Sequence, residues 1–371
     1  MALELADILR EYGAAYRQKY AGKLLPSHRQ AMLAIERCRT EALGGQIYGC
    51  VSCQEFQYSY HSCRNRHCPK CQHEQTQVWL DVQRELLLPV PYFMLTFTLP
   101  SELRELASHN QKLIYSLLFH ASSEAAQKLA QDPRYIGGQI GLVGVLHTWT
   151  RNLFYHPHVH YLAPGGGLST HGQVWLPARN HFFLPVKALS KLFRAAFRRA
   201  LQNTALFAQI PAQVWSKDWV VHCKPVGNGQ AALKYLAPYI HRVAISNRRL
   251  ISIEHRGSIE TSQVTFQYRA SDTGHLKRCT LSVESFLHRF LQHVLPHGFV
   301  KVRYYGFFGA TLRSRLTRLQ EQLNRETNPQ PSDEARQHTT QTEPSYKILC
   351  PKCGLPMIFQ RDLLPNACLS P

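Results

Sequence analysis

The chain lacks any run of about 18 or more apolar residues, which is the length a membrane-spanning helix requires. Its first residues, MALELADILREYGAAYRQKY, carry charges throughout and lack the apolar core of a secretory signal peptide. These two absences argue against a membrane or secreted protein. We therefore expect a protein of the cytoplasm.

Acidic residues are scarce in this sequence. The 371 residues include 24 Asp and Glu against 43 Lys and Arg, which gives a formal net charge of +19. A surplus of this size favours a polyanionic partner, and nucleic acid is the usual one. A basic enzyme with no such partner is the alternative that charge alone leaves open.

Hydrophobic periodicity predicts an α+β fold whose sheet has one open face. Residues 92–100, YFMLTFTLP, read as a buried strand, and residues 141–149 and 156–163 read as an antiparallel hairpin. A further strand is predicted at 218–223, and helices are predicted at 101–130, 186–208 and 229–241.

The patterns divide the chain into five segments. We expect a helical and zinc-binding module at 1–88, a domain that contains the hairpin at 89–250, a small β unit with a basic helix at 251–319, a flexible linker at 320–346, and a candidate partial zinc knuckle at 347–371.

Most of the eleven cysteines lie in CxxC pairs, which in a reducing compartment are typical of zinc ligands. The first two pairs are separated by fourteen residues, a spacing that predicts one tetrahedral structural zinc site. Its predicted ligands are Cys50, Cys53, Cys68 and Cys71, with Cys63 and His67 as candidates to replace one ligand or join a second metal.

Basic residues interleave with these cysteines. Arg64, Arg66 and Lys70 are predicted to contact phosphates, although a zinc module that only braces the fold is the alternative. Near the C-terminus, Cys350 and Cys353 form half of another knuckle. With Cys368 as the only further thiol, three ligands do not complete a structural site, so metal binding there is left open.

Three histidines occupy alternate positions of the predicted strand FYHPHVHYLAPGGG, so His156, His158 and His160 would share one face. Two imidazoles and a third donor can hold Mg²⁺ or Mn²⁺, which would polarise a phosphoryl oxygen. His156 and His147 are candidates for the third ligand. The glycines at 165–167 would allow a ligand to approach closely. A row of satisfied core histidines is the alternative.

Downstream, Tyr235 and Tyr239 are spaced so that a helix would place both hydroxyls on one face, although Pro238 disturbs a regular helix. Tyrosine can form a covalent intermediate, and a phosphotyrosine ester preserves the energy of a broken phosphodiester. Three basic residues follow that would hold a DNA backbone or form a solvated basic face, namely Arg242, Arg248 and Arg249.

The segments CRNRHCPKC, HPHVHYLAPGGG and YLAPYIHRVAISNRRL closely resemble rolling-circle transposases of the insertion sequence ninety-one type, which are two-tyrosine HUH endonucleases. The resemblance covers most of the chain. It implies a ferredoxin-like core with a central antiparallel sheet, His158 and His160 as the metal-binding pair, and Tyr235 and Tyr239 as nucleophiles. It also implies single-stranded DNA at transposon ends and target DNA as partners, and a nucleoid-associated location.

Three other functions remain open at this point. A plasmid relaxase or replication initiator would use the same chemistry, whereas a non-catalytic zinc-dependent DNA-binding protein would leave the histidines and tyrosines without a role. A metal-dependent hydrolase of small molecules would leave the charge unexplained.

Overall fold

The computed structural model describes residues 3–71, 79–169, 174–179, 181–233, 243–270, 273–310, 313–327 and 348–365. The helices used below are α1 (Leu5–Lys19), α2 (Pro26–Glu36), α3 (Arg104–His109), α4 (Gln111–Ala130), α5 (Val186–Leu201), α6 (Val283–Leu291) and α7 (Arg313–Thr327). None of the helices in this described part combines the length and the apolar character needed to cross a membrane.

The strands are short and their pairings are antiparallel. Their bounds are β1 (Gly45–Gly49), β2 (Phe56–Tyr60), β3 (Pro91–Thr98), β4 (Leu142–Trp149), β5 (Tyr155–Pro164), β6 (Gly166–Leu168), β7 (Trp175–Pro177), β8 (Val221–Asn228), β9 (Leu250–Glu254), β10 (Gln263–Arg269), β11 (Leu276–Ser282), β12 (Val302–Tyr305) and β13 (Ile358–Leu363). The predicted hairpin is present as β4 and β5, whereas the strand predicted at 218–223 begins at Val221 and runs on to Asn228.

The largest sheet has the strand order β12-β4-β5-β3-β8, so β5 occupies its centre. Side chains alternate along β5 because successive residues of a strand point to opposite faces. Val159 and Tyr161 point into a core formed with α4 and α5, where Phe97 packs edge-to-face against Tyr161 and Phe193. The intervening histidines therefore lie on the opposite face of the sheet.

That opposite face is covered by a second apolar cluster over part of its area. Met94 and Leu162 pack in this cluster with Ala232 and Leu233. Three leucines of α7 also belong to it, namely Leu316, Leu319 and Leu323. The histidine row occupies the part of the face that these residues leave, because it lies toward the Tyr155 end of β5.

The two N-terminal helices pack against elements that come much later in the chain. Leu9 of α1 and Met32 of α2 share a core with Phe266 of β10 and Phe286 of α6. Helix α6 begins at an N-cap, Ser282, whose hydroxyl accepts a hydrogen bond from the Ser285 N–H at 3.1 Å.

The C-terminal strand also pairs with the N-terminal part of the chain. β13 is hydrogen-bonded to β1, which in turn pairs with β2, so the three strands form one sheet in the order β13-β1-β2. The sequence patterns did not predict this pairing, because nothing in a local pattern reports which distant strand a segment will join.

Candidate active site and cysteine clusters

Three imidazoles meet on the open face of the central sheet. His147 of β4 pairs directly with His158 of β5, and His160 lies two residues further along the same strand. The ring centroid of His147 lies 5.5 Å from that of His158 and 5.0 Å from that of His160. The centroids of His158 and His160 are 4.8 Å apart. One ring nitrogen from each side chain lies within 4.8 Å of the others, which is close enough for all three to bind one ion.

Hydrogen bonds hold two of these rings in position. The Nδ1 of His158 lies 2.6 Å from the carbonyl oxygen of His156, and since a carbonyl can only accept, Nδ1 carries the proton. The lone pair of His158 is therefore on Nε2. The Nδ1 of His160 lies 2.9 Å from the Thr96 hydroxyl on the neighbouring strand β3. A partner on the second nitrogen is the usual arrangement around a metal-binding histidine.

Burial keeps the imidazoles of His158 and His160 neutral. Loss of hydration lowers the pKa of His158 to about 4 and that of His160 to about 3, with smaller contributions from the charges of neighbouring groups. A neutral imidazole offers a lone pair to a metal, whereas an imidazolium does not. These two neutral, oriented imidazoles and the buried ring of His147 form a donor set that fits a divalent cation such as Mn²⁺.

His156, the other candidate for a third ligand, has a different partner. Its Nδ1 accepts a hydrogen bond of 2.8 Å from the Arg104 guanidinium at the start of α3. That bond leaves the proton of the neutral ring on Nε2, so neither nitrogen offers a free lone pair. His156 accordingly stands outside the three-histidine group. Arg104, which the sequence patterns did not single out, adds a positive charge beside the row.

The glycines that follow the row serve the packing of the protein itself. A Cβ on Gly166 would lie 2.4 Å from the Trp175 ring, and one on Gly165 would lie 2.8 Å from the Pro91 carbonyl oxygen. The expectation that these glycines admit a ligand was wrong. They are required because β6 and its neighbours approach one another too closely for any side chain.

Tyr235 and Tyr239 lie outside the described residues, as does Arg242. The described chain approaches them at Leu233, which packs with Ala232 against the histidine-bearing face of the sheet. The described chain before the two tyrosines thus ends on the face that carries the three imidazoles.

The cysteines form two separate four-thiol clusters in the described part of the chain. The first contains Cys38, Cys63, Cys68 and Cys71. Cys38 lies 3.6 Å from both Cys68 and Cys71, measured between sulfur atoms, and Cys63 lies 3.6 Å from Cys71. Sequence reasoning missed Cys38, which follows helix α2 and belongs to no CxxC pair. The eleven-cysteine count was the only signal for it.

The second cluster joins the two ends of the chain. Cys50 and Cys53 lie beside Cys350 and Cys353. The prediction that Cys50, Cys53, Cys68 and Cys71 form one site was therefore wrong, because the fold assigns each CxxC pair to different partners. Cys350 and Cys353, which the sequence left as half of a knuckle, find their two further thiols in Cys50 and Cys53. Cys368 lies outside the described residues.

His67 takes no part in either cluster. Its Nε2 accepts a hydrogen bond of 3.3 Å from the Leu295 N–H, and burial lowers the pKa of its ring well below the usual range. The lone pair that a metal would need is thus engaged by the backbone.

The predicted DNA-binding residues divide by exposure. Arg66 donates to the carbonyl oxygens of Phe299 and Pro296 at 2.5 and 2.7 Å, so its guanidinium holds the fold together. Arg249 likewise donates to the Gln267 carbonyl at 2.9 Å, and Lys70 pairs with Glu4 at 2.7 Å. The side chains of Arg64 and Arg248 are exposed. Among the predicted DNA-binding residues that the structure describes, these two are the exposed ones.

Comparisons with known proteins identify the family of the chain. Residues 141–315 match a family model described as "Putative transposase", and residues 8–99 match one described as "Transposase zinc-binding domain". The chain is 41% identical over 332 residues to "Putative transposase y4qJ" of Sinorhizobium fredii. The match covers 84% of this chain and 82% of that protein. It is 29% identical over 286 residues to "Transposase for insertion sequence element IS801" of Pseudomonas savastanoi pv. phaseolicola. That match covers 73% of this chain and 67% of that protein. No solved structure matches it.

Proposed function

Because the chain belongs to the IS91-type transposases, which carry an N-terminal zinc-binding domain, we propose that it nicks and rejoins single-stranded DNA through a 5′-phosphotyrosine intermediate. The reaction would serve rolling-circle transposition, with transposon ends and target DNA as substrates. The family establishes a DNA-acting transposase, and the single-strand chemistry is our inference from the site.

The single observation that carries this proposal is the group of three imidazoles, those of His147, His158 and His160, on the open sheet face. In a protein with a formal net charge of +19, such a group suits a polyanion bound against the sheet. A divalent cation held by His147, His158 and His160 would polarise the scissile phosphate. We assign the third ligand to His147 because its ring faces His158 directly.

The nucleophiles in this proposal are Tyr235 and Tyr239. A phenol has a pKa of about 10, so the hydroxyl must lose its proton as it attacks. The phenolic oxygen forms a bond to phosphorus while the bond from phosphorus to the 3′ oxygen breaks. One DNA end is then held as a 5′-phosphotyrosine and the other leaves with a 3′-hydroxyl, which can later attack the ester and restore a phosphodiester.

Several of the chain's residues would position the reacting groups. The His156 carbonyl and the Thr96 hydroxyl orient the rings of His158 and His160. Arg104 places a guanidinium beside the row, where it would attract the phosphate backbone. We propose a ferredoxin-like core of the HUH type for this arrangement, which the five-stranded antiparallel sheet with α4 and α5 on one face supports.

Zinc binding belongs to the N-terminal part of the chain, and we assign the ion of the zinc-binding domain to Cys38, Cys63, Cys68 and Cys71. All four lie within the residues that match the domain. Three of them pack in the core shared by α1, α2 and α6, so this ion would join the N-terminal helices to the knuckle.

The proposal is tested by incubating the purified protein with labelled single-stranded oligonucleotides from the element's ends and Mn²⁺, and by looking for a protein–DNA adduct that survives denaturation. We expect an adduct with the wild type and none with the double variant Tyr235→Phe, Tyr239→Phe. Tyr135→Phe removes a partly buried hydroxyl elsewhere and serves as the control. Binding of the oligonucleotide without any adduct from the wild type would favour a non-catalytic DNA-binding protein.

A further inference from the structure

We infer that Cys50, Cys53, Cys350 and Cys353 bind a second zinc ion, which fastens the C-terminal segment 348–365 to the strand pair β1–β2. This site involves residues beyond those that match the zinc-binding domain, which end at 99. It is also independent of the histidine cluster and of the proposed strand-transfer reaction.

The two CxxC segments adopt the same backbone conformation. The Cys50 N–H donates to the Glu55 carbonyl at 2.9 Å, and the Gln54 N–H donates back to the Cys50 carbonyl at 3.0 Å. At the other segment, the Cys350 N–H donates to Leu355 at 2.8 Å and the Gly354 N–H donates to Cys350 at 2.9 Å. The partners lie at identical offsets along the chain, so the protein contains two equivalent knuckles.

The turn residue of each knuckle has the same unusual conformation. Gln54 has φ of 55° and Gly354 has φ of 74°, and both values lie in the left-handed region. A glutamine in this region is uncommon, because its Cβ makes the conformation less favourable than it is for glycine. The fold thus imposes at Gln54 the turn that glycine adopts readily at the second knuckle.

The four sulfur atoms are spaced for one tetrahedral ion. Cys50 lies 3.5 Å from Cys353, and Cys53 lies 3.3 Å from Cys350 and 3.7 Å from Cys353, measured between Sγ atoms. Zinc–sulfur bonds of about 2.3 Å in a tetrahedron place the sulfurs about 3.8 Å apart. A disulfide requires about 2.0 Å, so the observed spacing suits a shared metal and excludes bonded pairs.

The apolar contacts around this site are too few to hold the segment by themselves. The buried cluster consists of Cys50, Cys350 and Met357. Large side chains of β13 are exposed, with Ile358 at 55% and Phe359 at 47%. A module with so small a core is ordinarily stabilised by a metal. We therefore expect the ion to supply the stabilisation that the backbone ladder of β13 with β1 lacks from so small a core.

The link connects distant parts of the chain, since 297 to 303 positions separate the sulfurs that meet. Apart from the metal site, the junction is held by the backbone ladder of β13 with β1 and by the edge-to-face contact of Tyr48 with Phe359. Its ion pair, Lys352 with Glu55 at 3.7 Å, is exposed and contributes little. Loss of the ion is thus expected to release β13 while the central sheet stays folded.

Two measurements on the full chain test this inference. Elemental analysis of the purified protein is expected to give two zinc ions per chain for the wild type and for the control Cys279→Ser, which alters a thiol outside both clusters. The double variants Cys350→Ser, Cys353→Ser and Cys63→Ser, Cys68→Ser are each expected to retain one. The assignment is wrong if the wild type holds a single ion, or if the Cys350→Ser, Cys353→Ser variant still holds two.

Hydrogen exchange followed by mass spectrometry separates loss of the site from loss of the fold. In the Cys350→Ser, Cys353→Ser variant, the amides of β13 are expected to exchange at least tenfold faster while those of β3 and β5 keep wild-type protection. Unchanged protection of β13 in a variant that has lost one zinc ion would overturn the proposed fastening role.

Discussion

His147 and His158 face each other across β4 and β5, with their ring planes at 89° and their centroids 5.5 Å apart. A directly opposed pair on an antiparallel sheet places both side chains on the same face. This relationship, together with the Arg104 contact that engages His156, makes His147 the third metal ligand in our proposal.

Replacing His147 by alanine should abolish metal-dependent cleavage. We expect a loss greater than the roughly 10–100-fold that is typical when an outer partner of a metal ligand is removed. Rates of oligonucleotide cleavage should be measured across a Mn²⁺ titration. His120→Ala removes an exposed imidazole on α4 and should leave the rates unchanged. Wild-type Mn²⁺ dependence in His147→Ala would exclude it as a ligand.

Thr96→Val should weaken metal binding without unfolding the sheet. The change keeps the shape of the side chain but removes the hydroxyl that lies 2.9 Å from the His160 Nδ1. We expect about 10–100-fold lower Mn²⁺ affinity by titration calorimetry. Thr96→Ser retains the hydroxyl and should stay near wild type. If the valine and serine variants bind Mn²⁺ equally well, the hydroxyl has no orienting role.

Arg66 and Arg64, only two positions apart, should respond in opposite ways to substitution by methionine. Arg66→Met leaves the Phe299 and Pro296 carbonyls without their charged donor and should lower the free energy of unfolding by roughly 2–4 kcal/mol in urea titrations. Arg64→Met should leave that free energy unchanged. If Arg64 contacts a phosphate, the Arg64→Met substitution should reduce the slope of log affinity against log salt concentration, measured with single-stranded DNA, by about 0.7. Equal losses of stability in both variants would contradict this division.

His293 should make the folded protein less stable in acid. It is fully enclosed, and burial lowers its pKa to about 4 from the ordinary value near 6.5. Between these values the unfolded chain binds the proton and the folded chain does not, so stability falls as pH decreases from about 6.5 to about 4. The contribution approaches about 1.4 kcal/mol for each pH unit.

The check for His293 is the difference between wild type and His293→Gln in urea unfolding at pH 7, 6 and 5. Glutamine can still bond the Thr148 hydroxyl and the Leu153 carbonyl, the two partners of the imidazole, but does not titrate. The wild type should lose more stability than the variant toward pH 5. Parallel curves would show that His293 binds its proton equally in both states.

The local patterns were sufficient for the elements around the histidine row. Alternation in YHPHVHYLAP predicted a strand, because side-chain direction in a strand depends only on position along it. The strand pattern at 141–149 just before it predicted the hairpin that β4 and β5 form. The same alternation placed His158 and His160 on one face. It did not identify the third metal ligand. The choice between His147 and His156 depends on Arg104, which α3 brings against His156.

The cysteines separate local from tertiary information most clearly. The CxxC segments of Cys50 and of Cys350 each determined a knuckle by themselves, because the turn and its backbone hydrogen bonds lie within a few residues. The sequence did not determine which cysteines come together. The pairing of β13 with β1 brings Cys350 to Cys53, and the packing of α2 brings Cys38 to Cys68. Both are contacts between distant segments, which only the assembled fold can decide.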